Sequence, residues 1–397
     1  MTISKYEQID ADVMIYSNSP KAPSGYGRQV AQLVEKMKRH GMNVAVSCNY
    51  GQQGEFGEYK TPFGKVTLYP QSYTGYSQDM IAPNFEHFTK GSKRPKMLLT
   101  LFDTWILNGY PQLEKLDIHS WTPVDHTFLA QGVLEWVRRD NVKPIAMSPD
   151  GKLQMHQVGI DAPYIPHTID PKIYKPGQKI DGKSGREFLG VDDDAYIFGM
   201  VSANKANKYI HRKAFAEAIL AFGLHVRDNP KSILYLHTEW SNVVGGFDLN
   251  RLLKVCGVPA ENVRFPDNLR FRYGFSDKEM AALYDGIDCL LAPSYGEGFM
   301  VPLIEAASVG CQIITVNYTA PKDLVSEDAI KVDGQPFWDE ILGTWFMIPS
   351  VNQMKEAMKH MITREGKSKK NLEFAKQFNI ETVWMHKWLP YIKENLK

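Results

Sequence analysis

The sequence predicts an α/β protein built from two doubly wound domains. Three observations point there. The chain of 397 residues is longer than one ordinary core organises. Two stretches roughly half a chain apart each open a strand–loop–helix–strand unit, the pattern of a parallel sheet. Between them, residues 167–194 are rich in proline, glycine and charge and read as a linker region.

The first unit opens with ADVMIYSN (Ala11 to Asn18), an apolar, β-branched strand ending in small polar residues. A glycine loop follows, then a helix whose Val30, Leu33, Val34 and Met37 recur at helical spacing and which Gly41 terminates. MNVAVSCN is the next strand. KMLLTLFD, SWTPVD and PIAMS continue the sheet. The second unit opens with AYIFGMVSANK (Ala195 to Lys205), leads into the helical run RKAFAEAILAFGLHV and returns as SILYLHT. NVRFPD, CLLAPS and QIITVN are its further strands. The tail FNIETVWMHKWLPYIKENL carries apolar and aromatic residues at helical spacing and reads as a last helix with a core face.

Hydrophobic residues at 43% and charged residues at 23% describe a globular chain. Lys+Arg number 46 against Asp+Glu 45, so no global charge recruits nucleic acid or an acidic membrane. Cys48, Cys256, Cys289 and Cys311 form no C-x-x-C pair and read as buried thiols in a reducing compartment. No apolar stretch reaches transmembrane length and no signal peptide is visible, so a cytoplasmic location is expected. No H-x-x-x-H, clustered Cys/His or Asp-x-Asp pattern suggests a metal, and VDDDA (Val191 to Ala195) reads as a turn.

The chemistry concentrates in SYGEGFMVPLIEAASVG (Ser294 to Gly310). It follows a buried strand, and Pro302 and Gly310 suit the start and stop of a short helix. Ligands of open α/β sheets bind at this end of the strands, where a helix N-terminus favours a phosphate. Gly296 and Gly298 allow close backbone approach. Glu305 lies about one turn into the helix and Glu297 in the loop. A carboxylate repels phosphate but accepts hydrogen bonds from hydroxyls, as of a ribose or a sugar. An acidic first turn placed for the helix dipole explains Glu305 alone but not the glycines.

Glu-x7-Glu within PSYGEGFMVPLIEAASVGCQIITVN resembles the signature of the large retaining nucleotide-sugar glycosyltransferase family with the GT-B fold, which includes sucrose synthase and bacterial mannosyltransferases. YIPHTIDPKIYKP, FSDKEMAALYDGIDCLLAPS and GYGRQVAQLVEKMKRHGMNVAV resemble other family segments, so most of the chain takes part. The resemblance implies two Rossmann-like domains facing a cleft. Residues 1–170 would bind the acceptor, residues 171–375 the nucleotide sugar, and a C-terminal helix, 376–397, would cross back to the first domain. It implies that Glu305 binds the ribose and Glu297 the donor sugar, with the backbone at Phe299, Met300 and Val301 near sugar or phosphate. The family commonly has glycine where Met300 stands.

Lys213 matches the family lysine that holds the donor diphosphate. Ser202 or Ala203 stands where the family arginine falls, so Arg212 or Lys205 would take its place. Gly25 and Gly27, in the glycine loop PSGYGRQVA, would approach the diphosphate. His126, after the strand of WTPVDHTFL, would lie at the reacting centre with Asp125 orienting it. Asp103, His237 and Thr238 also end strands, and packing is the simpler reading of each. The implied donor is a UDP-, GDP- or ADP-sugar, with no tightly bound cofactor and cationic side chains in place of a metal.

The acceptor stays open among a modified DNA base, a protein and a glycan. The aromatic residues Tyr50, Phe56, Tyr59, Tyr69, Tyr73, Tyr76, Trp105, Trp121 and Trp136 suit stacking with sugars or bases alike. GMVSANKANKYIHRK and PSGYGRQ resemble glycosyltransferases of bacteriophage genomes, which would place the enzyme in a host cytoplasm. Two rival readings are a sugar phosphorylase-like enzyme using inorganic phosphate and a non-catalytic nucleotide-sugar or nucleic-acid binding module. The presence of both glutamates argues against the latter.

Overall fold

The computed structural model describes residues 6–73, 75–206, 210–242, 245–364 and 366–396. Part of the basic run of the second unit, residues 207–209, lies outside them. The chain divides into two compact units: Met1–Val124 with Phe128–His167 and Ile380–Lys397, and Asp125–Thr127 with Thr168–Asn379.

The first unit holds a seven-stranded sheet. In chain order its strands are β1 (Asp12–Asn18), β2 (Asn43–Tyr50), β3 (Gly57–Thr61), β4 (Gly64–Tyr69), β5 (Lys96–Thr100), β6 (Ile118–Thr122) and β7 (Val142–Ala146), laid side by side as β3-β4-β2-β1-β5-β6-β7. All pairings are parallel except β3 with β4. β1 is buried throughout, as a central parallel strand must be, and this is why it reads as one apolar run. The helix Gly25–Arg39 is capped by Ser24, whose Oγ accepts from Gly27 N, and buries Val30, Leu33, Val34 and Met37. The hairpin β3–β4 was not evident in the sequence, because it lies at the sheet edge and β3 has no fully buried residue.

The tail from Ile380 belongs to this first unit. It is helical, opening into a π turn over Trp384–Trp388. Trp384 donates to His40 at 3.0 Å, Trp388 packs edge-on to Trp121 with ring centres 4.9 Å apart, and Glu381 accepts from Lys36 at 2.7 Å and Arg39 at 2.8 Å. The aromatic face expected of the tail is therefore core, with an ion-pair clasp at its start.

The second unit holds a six-stranded parallel sheet. Its strands are β8 (Tyr196–Val201), β9 (Ser232–His237), β10 (Val263–Arg264), β11 (Cys289–Ala292), β12 (Gln312–Val316) and β13 (Ile330–Val332), in the order β10-β9-β8-β11-β12-β13. A separate antiparallel hairpin, β14 (Gly334–Asp339) with β15 (Thr344–Pro349), follows. Phe198, Met200, Leu234, Leu291 and Ile314 from the sheet pack against Phe215, Ile219 and Phe222 of the helix Phe215–Val226. The strand order reverses direction at the β8–β11 pair. In open α/β sheets ligands bind at the carboxyl edge beside such a reversal. One loop carries Arg212 and Lys213, the other Glu297. The expected linker 167–194 lies within this unit from Thr168 onward and contains a short helix, Gly185–Leu189, capped by Ser184.

Candidate active site

Topology alone brings the loops after β8 and β11 together, and the side chains complete the meeting. Lys213 Nζ donates to Glu297 Oε1. Arg212 Nη1 donates to Gly296 O at 2.5 Å and to Glu297 Oε2 at 3.2 Å, and lies 3.4 Å from Asp125 Oδ2. His126 Nδ1 is 2.7 Å from Asp125 Oδ1. Five of the sequence-predicted residues, Asp125, His126, Arg212, Lys213 and Glu297, thus form one cluster within the second unit.

Asp125 and His126 reach it by a route the sequence did not announce. They leave β6 of the first sheet, but Asp125–Thr127 belongs to the second unit. Thr127 pairs antiparallel with Trp345, donating at 3.0 Å and accepting at 2.9 Å, so the short segment extends the β14–β15 hairpin. Gly296 makes room for it: a Cβ there would fall 1.9 Å from Asp125 O. The glycine before Glu297 is therefore required by close packing of one backbone on another.

Electrostatics follow from burial and pairing. Burial pushes the Asp125 carboxyl up, but the His126 hydrogen bond and the Arg212 and Lys213 cations outweigh it and hold the value down at about 2. Burial also opposes ionisation of Glu297, and Lys213 and Arg212 overcome it, so its carboxyl titrates below the ordinary value. Burial lowers the Lys213 ammonium, Glu297 resists that shift and Arg212 adds to it.

The signature helix runs Val301–Ser308 with Pro302 in its first turn, as the sequence predicts, and Gly310 at φ 75 leads the chain away. Gly298, Phe299, Met300 and Val301 form a buried run into it. Met300, where the family commonly has glycine, takes φ 80, a left-handed conformation that costs a side chain roughly 1–2 kcal/mol. Ala214, directly after Lys213, stands at φ 57 and Thr319 at φ 43. Thr319 Oγ1 accepts from Glu297 N at 3.1 Å. Non-glycine residues in this region persist only where surroundings over-determine them, and they gather at functional sites. Three of them flank this cluster, a signal with no trace in residue type.

Glu305 sits deeper. It is buried, and Tyr284 Oη donates to its Oε2 at 2.9 Å from the helix Asp277–Gly286. Sequence reasoning missed Tyr284 because a buried tyrosine at helical spacing is indistinguishable from core. Lys205 stands exposed in the loop after β8, and its side chain makes no hydrogen bond or ion pair among the described residues. Arg212, of the two expected substitutes, is the one held in the cluster. Gly25 and Gly27 lie in the first unit, in the first turn of the helix after β1, where a Cβ on Gly27 would meet Ala22 O at 2.5 Å.

The other strand-end residues have packing partners. His237 accepts or donates at 2.6 Å with Tyr235 Oη and meets the rings of Phe271 and Phe275, and Thr238 Oγ1 accepts from Asn204 N at 2.9 Å. A groove of about 620 Å³ in the second unit runs along Glu217, Leu220, Asp333 and Val351, and none of the cluster residues lines it. Among the described residues, no group of three or more His, Cys, Asp or Glu is placed to hold a metal ion, and no helix is long and apolar enough to cross a membrane.

Comparisons with known proteins agree with this architecture. Residues 186–378 match the family described as glycosyl transferases group 1. No curated protein matches the sequence. Among solved structures, a sucrose-phosphate synthase from Thermosynechococcus elongatus superposes with a TM-score of 0.71 at 16% identity, covering 97% of this chain and 99% of that one. The Anabaena protein HepE in complex with UDP-glucose gives 0.67 at 12% identity, covering 97% and 100%. An α,α-trehalose-phosphate synthase (UDP-forming) from Burkholderia vietnamiensis gives 0.67 at 10%, covering 96% and 100%. The likeness extends over both Rossmann-like sheets, so the chain has the GT-B fold, and its residues 186–378 match the glycosyl transferases group 1 family, which supports a glycosyltransferase.

Proposed function

We propose that this enzyme moves a sugar from a nucleoside-diphosphate sugar to an acceptor hydroxyl, with retention of the anomeric configuration. One observation carries the reading: Arg212, Lys213 and Glu297 converge beside the start of the helix Val301–Ser308. The first-turn amides of a helix lack intrahelical partners and carry the positive end of its dipole. With two cations beside them they form a place for a diphosphate. The same groups stabilise the charge that grows on the leaving group as the glycosidic bond breaks. Structural relatives crystallised with UDP-glucose or described as UDP-forming support a nucleotide-sugar donor.

In this reading Arg212 and Lys213 hold the diphosphate. Glu297 accepts from hydroxyls of the donor sugar, and Glu305, oriented by Tyr284, accepts from those of the ribose. The backbone of Gly298, Phe299, Met300 and Val301 lies along sugar and phosphate. His126, held by Asp125, stands at the reacting centre, and the first unit binds the acceptor. Glu297 is tied to two cations and Asp125 to His126, so neither carboxylate is poised as a covalent nucleophile. Retention is then best served by same-face attack, with the leaving phosphate taking the proton of the acceptor hydroxyl.

The test is a thermal-shift and calorimetric screen against UDP, GDP and ADP, then their sugar conjugates. A ligand of the native state raises its apparent stability. One nucleotide is expected to do so, and to lose that effect in Lys213→Ala. Silence with all three removes the donor reading. The anomeric configuration of the product, read by NMR, tests retention separately.

A further inference from the structure

Arg212 and Lys213 lie directly before the helix Phe215–Val226, and the residue between them and the helix is the left-handed Ala214. A helix start is ordinarily fixed by a Ser, Thr, Asp or Asn side chain at the N-cap. Here the N-cap is Ala214, and it supplies none. Glu217 stands at the third helical position, from which a capping-box glutamate reaches back to the N-cap amide. Ala214 N donates instead to His211 O at 3.0 Å. The Glu217 carboxylate accepts from the Tyr295 hydroxyl at 2.7 Å, and Tyr295 comes from the loop after β11, two residues before Glu297.

The backbone adds a second tie. Tyr295 N donates to Arg212 O at 2.8 Å, and Met347 N of β15 donates to Tyr295 O at 3.0 Å. Tyr295 is thus a rung between the cation loop and the hairpin. The same hairpin holds Thr127, next to His126, through Trp345. The Tyr295 ring packs with Ala214 and Phe346 in a small buried cluster, against which Phe337 rests. Burial first, and then the Glu217 carboxylate, oppose ionisation of the hydroxyl, so it stays a donor.

Packing of this cluster calls for a ring but not for a hydroxyl. A hydroxyl aimed at a carboxylate adds a charge-assisted hydrogen bond, which is strong and directional. A left-handed alanine persists only where its surroundings over-determine it. The Tyr295 hydroxyl constrains the helix after Ala214, and the Tyr295 amide constrains Arg212 before it. The two ties bracket Arg212, Lys213 and Ala214.

We propose that Tyr295 is a positioning residue of the transfer site, whose hydroxyl, anchored on Glu217, fixes the turn at Ala214 and so sets Arg212 and Lys213 against Glu297 to receive a diphosphate. This rests on the donor reading above, and the experiment separates the two. Affinities for UDP, GDP and ADP are measured by calorimetry well below the melting temperature, on the full-length protein and on Tyr295→Phe, Glu217→Gln and Glu217→Ala. Tyr295→Phe keeps the ring and the net charge. Glu217→Gln keeps an acceptor oxygen that Glu217→Ala lacks, and these two share one net charge.

Tyr295→Phe should weaken the nucleotide that the parent binds about tenfold or more, the equivalent of one hydrogen bond to a charged group, because a site that is competent for part of the time binds in proportion. Glu217→Gln should bind more tightly than Glu217→Ala, and Tyr295→Phe should add nothing in the Glu217→Ala background. Hydrogen exchange at the amides of Ala214 and Tyr295 should quicken in Tyr295→Phe, while exchange along β1 stays as in the parent. A merely structural tyrosine would lower the melting temperature and leave nucleotide affinity alone. Should Tyr295→Phe not fold, the Glu217 pair, at a half-buried position, decides. A parent that binds no nucleotide overturns the donor reading and this role with it. A parent that binds, with equal affinity in Tyr295→Phe or with Glu217→Gln and Glu217→Ala alike, overturns the positioning role only.

Discussion

Arg212 and Glu297 stand 3.2 Å apart across the mouths of β8 and β11, and the same guanidinium nitrogen lies 3.4 Å from Asp125. With Lys213 on the other oxygen of Glu297, two cations face two carboxylates. The four formal charges cancel. An incoming diphosphate must therefore compete with carboxylates already paired to the cations. Glu297→Gln removes one competitor. It should raise UDP affinity about tenfold or more, since a charged hydrogen bond is worth roughly 1.5–3 kcal/mol, while transfer falls through loss of the sugar contact. Calorimetry for UDP and a turnover assay on one preparation would show the opposed changes. Weaker UDP binding in the variant would mean that Glu297 positions the cations more than it opposes the ligand.

Tyr284 Oη donates to the buried Glu305 carboxylate from a different helix. Tyr284→Phe keeps the ring and deletes the hydrogen bond. The cost should be about 1–3 kcal/mol, the penalty for depriving a buried polar group, read as a lower urea midpoint at an unchanged slope. UDP affinity should fall as well if Glu305 serves the ribose. Stability alone changing would leave Glu305 a packing residue.

At Met300 three terms compete. Glycine would relieve roughly 1–2 kcal/mol of left-handed strain but add about 0.5–1 kcal/mol of unfolded-state entropy. It would also lose the burial of a methionine that is only 8% exposed, worth about 1.5–3 kcal/mol. Burial wins, so Met300→Gly should be less stable than the parent by about 1–2 kcal/mol. Met300→Ala keeps the strain and loses most of the burial, and should be less stable still. Denaturant unfolding of the pair gives the order. Alanine above glycine would show that φ at this position relaxes freely.

The tail clasp should open in acid. Burial raises the Glu381 carboxyl, and the Lys36 and Arg39 hydrogen bonds and charges outweigh it, so the folded value lies below the ordinary 4.5. A depressed carboxylate contributes stability that is complete above its unfolded value and is lost as pH falls through the folded one. Glu381 is 44% exposed, so screening limits the effect to about 1 kcal/mol or less. Hydrogen exchange of residues 380–396 should lose protection on moving from about pH 5 to about pH 3. Glu381→Gln should start less protected and respond less. Identical profiles would show that Trp384 and Trp388 alone secure the tail.

Legibility in the sequence followed burial. β1, β2, β5, β8, β9, β11 and β12 were readable because central parallel strands are covered on both faces and become continuous apolar runs. The hairpins β3–β4 and β14–β15 were not, since edge and antiparallel strands are exposed on one face and mix polar with apolar residues: β14 buries only Asp339 fully. β10, only two residues long, falls within the strand expected at NVRFPD.

For the site, local sequence determined the parts that a short contiguous motif can encode. These are the strand, glycine loop and proline-started helix that carry Glu297 and Glu305, and the basic pair Arg212–Lys213 before its helix. Tertiary structure alone decided which cation meets Glu297, that Asp125–Thr127 adds to β15 beside Gly296, that Tyr284 holds Glu305, and that Met300, Ala214 and Thr319 are held left-handed. Strand order, packing distance and backbone strain set those outcomes. Each depends on residues far apart in the chain meeting in space, and no local periodicity or residue type records such a meeting.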